Sequence, residues 1–194
     1  MSTFLYADPH FFHASPDTPD GIIRMCSATR PYANGRELNE SQAAAWRSVV
    51  KPSDVVIVVG DFAHRADPVA LRKLFDSLPG TKHLVKGNHD GPETLALGWK
   101  SIHDIMYVSI DGQRCCLCHY PMLSWNGSRS GKVIQLYGHH HGRIPGNQQS
   151  ADIGVDVMGP APVRLNQIKA YMATLPPRVD PEAGDDLDVD GVTP

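Results

Sequence analysis

The chain has 194 residues, of which 41% are hydrophobic, 20% charged and 7% aromatic, which excludes whole-chain disorder and fits one domain with a buried core. The longest clean apolar run, Val55–Val59, falls far short of the roughly 20 residues that cross a bilayer, and residues 1–5 carry no basic segment ahead of an apolar stretch, so a cytoplasmic protein is expected. The formal charge of −3 hides a division, because six acidic residues and one basic residue, Arg178, follow from Pro176 onward. Residues 1–175 are therefore expected to form the domain, whose near-neutral charge neither requires nor excludes nucleic acid, and residues 176–194 a disordered acidic tail.

Residues 4–7 read as a strand that ends at Asp8-Pro9-His10. After an irregular Pro-rich stretch, a helix is predicted to open at Asn39 or Glu40, to pack through Ala43, Trp46 and Val50, and to stop near Pro52. Val55–Val59 reads as a buried strand ending at Gly60-Asp61. Pro68 opens a second helix with Leu71, Leu74, Phe75 and Leu78 at helical spacing and Gly80 as terminator. Thr81–Val85 is a third strand, ending at Gly87-Asn88-His89-Asp90. Residues 107–110 and 114–118 form a hairpin around Asp111-Gly112, a pair suited to a tight primed turn, and the second arm runs into His119. Val133–Tyr137 precedes Gly138-His139-His140-His141, and strands near 153–157 and 163–165 and a helix over 166–174 complete the body.

Four cysteines, Cys26, Cys115, Cys116 and Cys118, are too few and too clustered for a secreted disulfide framework, and read as reduced core or strand residues. Five strand candidates, at 4–7, 55–59, 81–85, 114–118 and 133–137, instead each hand over to a segment containing Asp, Asn or His, and ligands of open α/β sheets bind just beyond such strand ends. The resulting set, Asp8, His10, Asp61, Asn88, His119, His139 and His141, offers nitrogen and oxygen donors without thiolate, which suits Mn, Fe, Zn, Ni or Co. Seven donors exceed one tetrahedral ion and suit two divalent ions that share a bridging carboxylate.

Taken in order, Asp8-Pro9-His10, Gly60-Asp61, Gly87-Asn88-His89-Asp90, His119 and Gly138-His139-His140-His141 resemble the five motifs of the calcineurin-like metallophosphoesterases, and the resemblance runs from about residue 4 to 173. Residues 10–30 and His119-Tyr120-Pro121-Met122 are similar to the small bacterial and phage branch. The resemblance implies a mixed α/β fold, a four-layer αββα sandwich of two mixed β-sheets flanked by helices. It implies one metal on Asp8, His10, Asp61 and His141 and a second on Asp61, Asn88, His119 and His139, with manganese the favoured ion. His139 and His141, two apart on an extended segment, would then point to the same side, and His140 away.

The implied reaction is hydrolysis of a phosphoester, a phosphodiester of nucleotide or nucleic-acid type in the first instance, by a hydroxide bridging the two ions. His89 would assist the leaving group, with Asp90 orienting its imidazole. Arg143, favoured over Arg24, Arg30, Arg65 and Arg129, and His64 are the candidates to contact substrate, and His13 and His64 stand three residues after His10 and Asp61, within reach of the ligands. The alternatives are a phosphomonoesterase, which needs extra cationic contacts, and an inactive metal-binding scaffold, which would be expected to lose His89.

Overall fold

Strand alternation divides the apolar residues between two cores, and this division builds the architecture. A computed structural model describes residues 1–179; the acidic residues of the expected tail, from Asp180 onward, lie outside the described residues. The chain runs β1 (Thr3–Tyr6), α1 (Gly21–Met25), α2 (Gly35–Val49), β2 (Val55–Val59), α3 (Pro68–Ser77), β3 (Thr81–Val85), α4 (Pro92–Leu95) and β4 (Ser101–His103). It continues through β5 (Ile105–Ile110), β6 (Gln113–Cys118), β7 (Val133–Tyr137), β8 (Ser150–Asp152), α5 (Val155–Met158), β9 (Val163–Arg164) and α6 (Leu165–Met172). Among the described residues the strands form two mixed sheets, ordered β4-β3-β2-β1-β9 and β5-β6-β7-β8.

On the first sheet Phe4, Tyr6, Val56, Val58 and Leu84 face Trp46 of α2 and Leu71 and Phe75 of α3. Their strand neighbours Leu5, Ile57, Val59 and Val85 point the other way and meet Cys115, Leu117, Ile134 and Leu136 of the second sheet, the period-2 pattern of face-to-face sheets. Through Leu165, Ile168 and Met172, α6 joins this inner core. The far face of the second sheet is covered by Trp125, which packs with Cys116 and Val133 and donates from Nε1 to the Val133 carbonyl at 3.0 Å. All four cysteines are buried and unpaired. Past residue 175 the chain still touches the body, since Gln148 N–H donates to the Pro176 carbonyl at 2.9 Å and Arg178 lies over Trp125.

Trp46 anchors the helix-side core: it is fully buried, edge-on to Tyr6 at 5.3 Å, and donates from Nε1 to the Pro79 carbonyl at 2.9 Å. Trp46→Ala is expected to cost about 3–5 kcal/mol, read in urea as a lower midpoint at unchanged slope.

Two predicted elements are corrected. The helix expected at Asn39 starts at Gly35, because Asn34 accepts the Glu37 N–H at 2.9 Å while the Glu37 carboxylate accepts from Ala33 N–H at 2.6 Å, a reciprocal cap that precedes the apolar periodicity. Asn39 itself accepts the Phe12 N–H. The strand expected over 153–157 lies earlier, as β8, because the Asp152 carboxylate accepts from Gly154 N–H at 2.7 Å and turns the chain. Ile153 then ends in the inner core and Val155 in the helix-side core, so their alternation reflects a crossing between sheets. The short α1, α4 and β4 carry too little periodicity to be read from sequence.

Candidate metal centre

Parallel pairing of β1 with β2, β2 with β3 and β6 with β7 sends the segments that follow these strands to the same end of their sheets. There the backbone turns sharply, with positive φ at Asp8 (53°), His10 (51°), Asp61 (53°), His139 (71°) and His141 (51°). Each such residue costs about 1–2 kcal/mol, offset by cross-motif hydrogen bonds: Asp8 N–H to the Gly60 carbonyl, His10 N–H to the Asp61 carbonyl, and His139 N–H to Asp8 Oδ2. The segment 139–141 is therefore a turn and not the extended run expected, and it sends its two outer histidines to different partners. Two motif glycines make room for carboxylates of other motifs, since a Cβ on Gly87 would collide with Asp61 Oδ1 and one on Gly138 with Asp8 Oδ2.

The donors gather in two groups that share one carboxylate. Asp8, His10 and Asp61, all buried, form one group close enough to hold an ion, and Asp61, His119 and His139 form another. Asp61 Oδ2 lies 3.4 Å from His10 Nε2 and 3.3 Å from His119 Nε2. His119 Nδ1 sits 3.1 Å from the Val59 carbonyl, which leaves Nε2 toward Asp61 and toward Asn88 Oδ1 at 3.2 Å. Asp8 Oδ1 and His10 Nε2 are buried without a hydrogen-bond partner. Buried polar atoms are rarely left in that state, and a cation bound between them would satisfy both, so these residues fit divalent ions. Burial accordingly pushes the Asp8 carboxyl up to about 7 and holds His10 well below the usual histidine range.

His141 stands with its ring 5.1 Å from that of His10 and its Nδ1 2.7 Å from Asp156. Burial opposes its charge, but the hydrogen bond to Asp156 prevails and raises it to about 10. Ligation removes protons, so if Asp8 and His141 hold a cation, loading the protein at pH 7 is expected to release protons from both, with affinity rising as pH increases. Calorimetric titration in two buffers of unlike ionisation heat counts them.

His89 donates its backbone N–H to Asp61 Oδ1 at 2.8 Å, and its ring Nδ1 lies 2.8 Å from His64 Nδ1. His13 Nδ1 lies 2.8 Å from His10 Nδ1, and its ring is 4.1 Å from that of His64. Asp90, expected beside the His89 imidazole, instead accepts the backbone N–H groups of Asp61, Phe62 and Gly87 at 2.8–3.0 Å. It ties the second and third motifs together because those N–H groups converge on its buried carboxylate. His140 packs on the His139 ring at 4.6 Å. The exposed Arg143 donates to the Met25 carbonyl at 2.9 Å. Arg30, weighed as a substrate contact, is buried and bonded to Asp156 and to backbone carbonyls. His83 on β3 and His103 on β4 share Ser101 Oγ. Sequence reasoning missed Asp156 and the bracing by Arg30, for which no motif offers a signal.

Comparison with known proteins agrees with this geometry. The family model of the calcineurin-like phosphoesterases matches residues 1–153. The uncharacterized protein MJ1445 of Methanocaldococcus jannaschii is 28% identical over 173 residues, 85% of this chain and 88% of that one. The fold is similar to that of AQ665, a protein of unknown function from Aquifex aeolicus, with a TM-score of 0.66 and 21% identity over 87% of this chain and 98% of that one. An archaeal phosphodiesterase overlaps more loosely, at a TM-score of 0.45 and 20% identity over 79% and 82% of the two chains. With the ordered motifs meeting at one site and the family model spanning most of the domain, the chain belongs to the calcineurin-like phosphoesterases, hydrolases that cleave phosphoester bonds with divalent metal ions.

Proposed function

We propose that the protein hydrolyses phosphodiesters of nucleotide or nucleic-acid type at a binuclear centre, with manganese the preferred ion. The observation that carries this reading is the pair of donor groups sharing Asp61, with Asp8 Oδ1 and His10 Nε2 buried and partnerless. Asp8, His10, Asp61 and His141 would hold one cation, and Asp61, Asn88, His119 and His139 the other. Bound there, two divalent cations neutralise phosphoryl oxygens and make water acidic enough to supply hydroxide at neutral pH.

The chain's own part is to place the proton for the departing oxygen. With Nδ1 engaged by His64, His89 has Nε2 left to carry that proton, and its ring stands 5.1 Å from that of His10. The preference for a diester follows from charge. Beyond the proposed ligands the site is bordered by His13, His64 and His89, while Arg30 is engaged by Asp156 and Arg143 by Met25. A terminal phosphate dianion would call for a cationic clamp, whereas a diester carries a single charge. Buried unpaired cysteines fit a reducing compartment, which supports reading the protein as cytoplasmic.

The test is hydrolysis of a chromogenic diester and the matching monoester after chelation and readdition of Mn, Ni, Co or Zn. Metal-dependent turnover favouring the diester is expected. Faster monoester cleavage would reverse the substrate assignment, and no turnover by protein carrying two ions would point to a scaffold.

A further inference from the structure

The carboxylate of Asp156 has no exposed surface, and it is surrounded by donors. Arg30 donates to it from Nε at 3.0 Å and from Nη2 at 2.6 Å, Thr29 Oγ1 donates at 2.5 Å, and His141 Nδ1 lies 2.7 Å away. Burying an ionised carboxylate is expensive unless it is paired, so this pairing represents a substantial local investment of structure. Arg30 is itself buried and also donates from Nη2 to the Asp8 carbonyl at 2.7 Å and from Nη1 to the Pro9 carbonyl at 3.1 Å. One side chain thus braces the first motif and the partner of the last. Because Asp156 occupies Nδ1 of His141, Nε2 is the nitrogen left to bind a cation, and the ring stands 5.1 Å from that of His10.

The two proposed cation positions differ in this respect. The His119 ring is oriented by the neutral Val59 carbonyl, whereas that of His141 is oriented by a carboxylate held in a charged network. We propose that Asp156 is a positioning residue that fixes the ring and tautomer of His141 and thereby sets the affinity of the Asp8–His10–Asp61–His141 cation position independently of the other. The inference rests on the ligand assignment made under the proposed function. Partners of this kind are worth about 10–100-fold in metal affinity when removed. The Cys26 thiol lies in the same group as His141 and Asp156, so a separate ion on these three is the competing arrangement.

The experiment is competition of the full chain with a chromophoric chelator for Zn and for Mn, in wild type, Asp156→Asn, Asp156→Glu and Cys26→Ser, with elemental analysis of each protein. Two equivalents are expected in wild type. In Asp156→Asn one should weaken 10–100-fold while the other is unchanged; Asp156→Glu should restore part of the loss, and Cys26→Ser should alter neither. Equal weakening of both equivalents, or of neither, overturns the proposal. So does a third wild-type equivalent lost in both Cys26→Ser and Asp156→Asn. Should Asp156→Asn not fold, the ¹⁵N shifts of His141 in the Zn-loaded wild type decide, with Nδ1 protonated expected and Nδ1 ligated overturning. Wild type that binds no metal would instead overturn the binuclear reading on which the inference stands.

Discussion

Replacing His89 by glutamine is expected to slow cleavage of a diester with a poorly acidic alcohol as leaving group by about 10²- to 10⁴-fold, with both cations still bound. His89 donates its backbone N–H to Asp61 Oδ1 at 2.8 Å, a bond that glutamine preserves. What glutamine cannot do is give up a proton to an alkoxide. The loss should therefore shrink as the leaving group becomes more acidic, since a nitrophenolate departs with little need of a proton. Rates for a series of diesters of graded leaving-group pKa check this, with metal content measured alongside. A loss of the same size across the series would mean that the ring shapes the site without transferring a proton.

Asp61→Asn is expected to have the larger effect on the centre itself, lowering metal content below two per chain and activity by about 10³-fold or more, the kinetic equivalent of several kcal/mol of charge stabilisation. Asp61 Oδ2 stands between His10 Nε2 and His119 Nε2, at 3.4 and 3.3 Å. The neighbouring imidazole of His119 also holds this carboxyl below the usual range despite its burial, so it is ionised at neutral pH. Asparagine keeps the shape and an oxygen for the His89 N–H, but removes the negative charge that two cations would share under the proposed function. Elemental analysis after chelation and reloading, with turnover of the same sample, measures both effects. Two tightly held ions and full activity in this variant would remove Asp61 from the shared position.

The division between what sequence and structure each reveal follows the range of the interactions. Val55–Val59 and Thr81–Val85 are legible because burial and period write themselves into consecutive residues, and the Asp111-Gly112 turn is legible because positive φ at both positions suits that pair. The start of α2 is not, because the Asn34–Glu37 cap stands apart from the helix's apolar face. Asp156 is invisible from sequence for a stronger reason: its bond to Arg30 spans 126 positions, and an isolated Asp between valines carries no local signature. The role expected of Asp90 shifted for a similar reason, since the backbone N–H groups that claim its carboxylate converge only once β2 and β3 are paired.

By itself the sequence set out the candidate donors, their order and the strands that precede them, because these depend on residues close together along the chain. Tertiary structure decided that Asp61 stands between the two donor groups, that His139 and His141 turn to different partners, that His64 meets His89, and that Arg30 and Asp156 brace the site from remote segments. Those features depend on which strand ends become neighbours and on left-handed backbone held by contacts between motifs, and neither exists until the sheets have assembled.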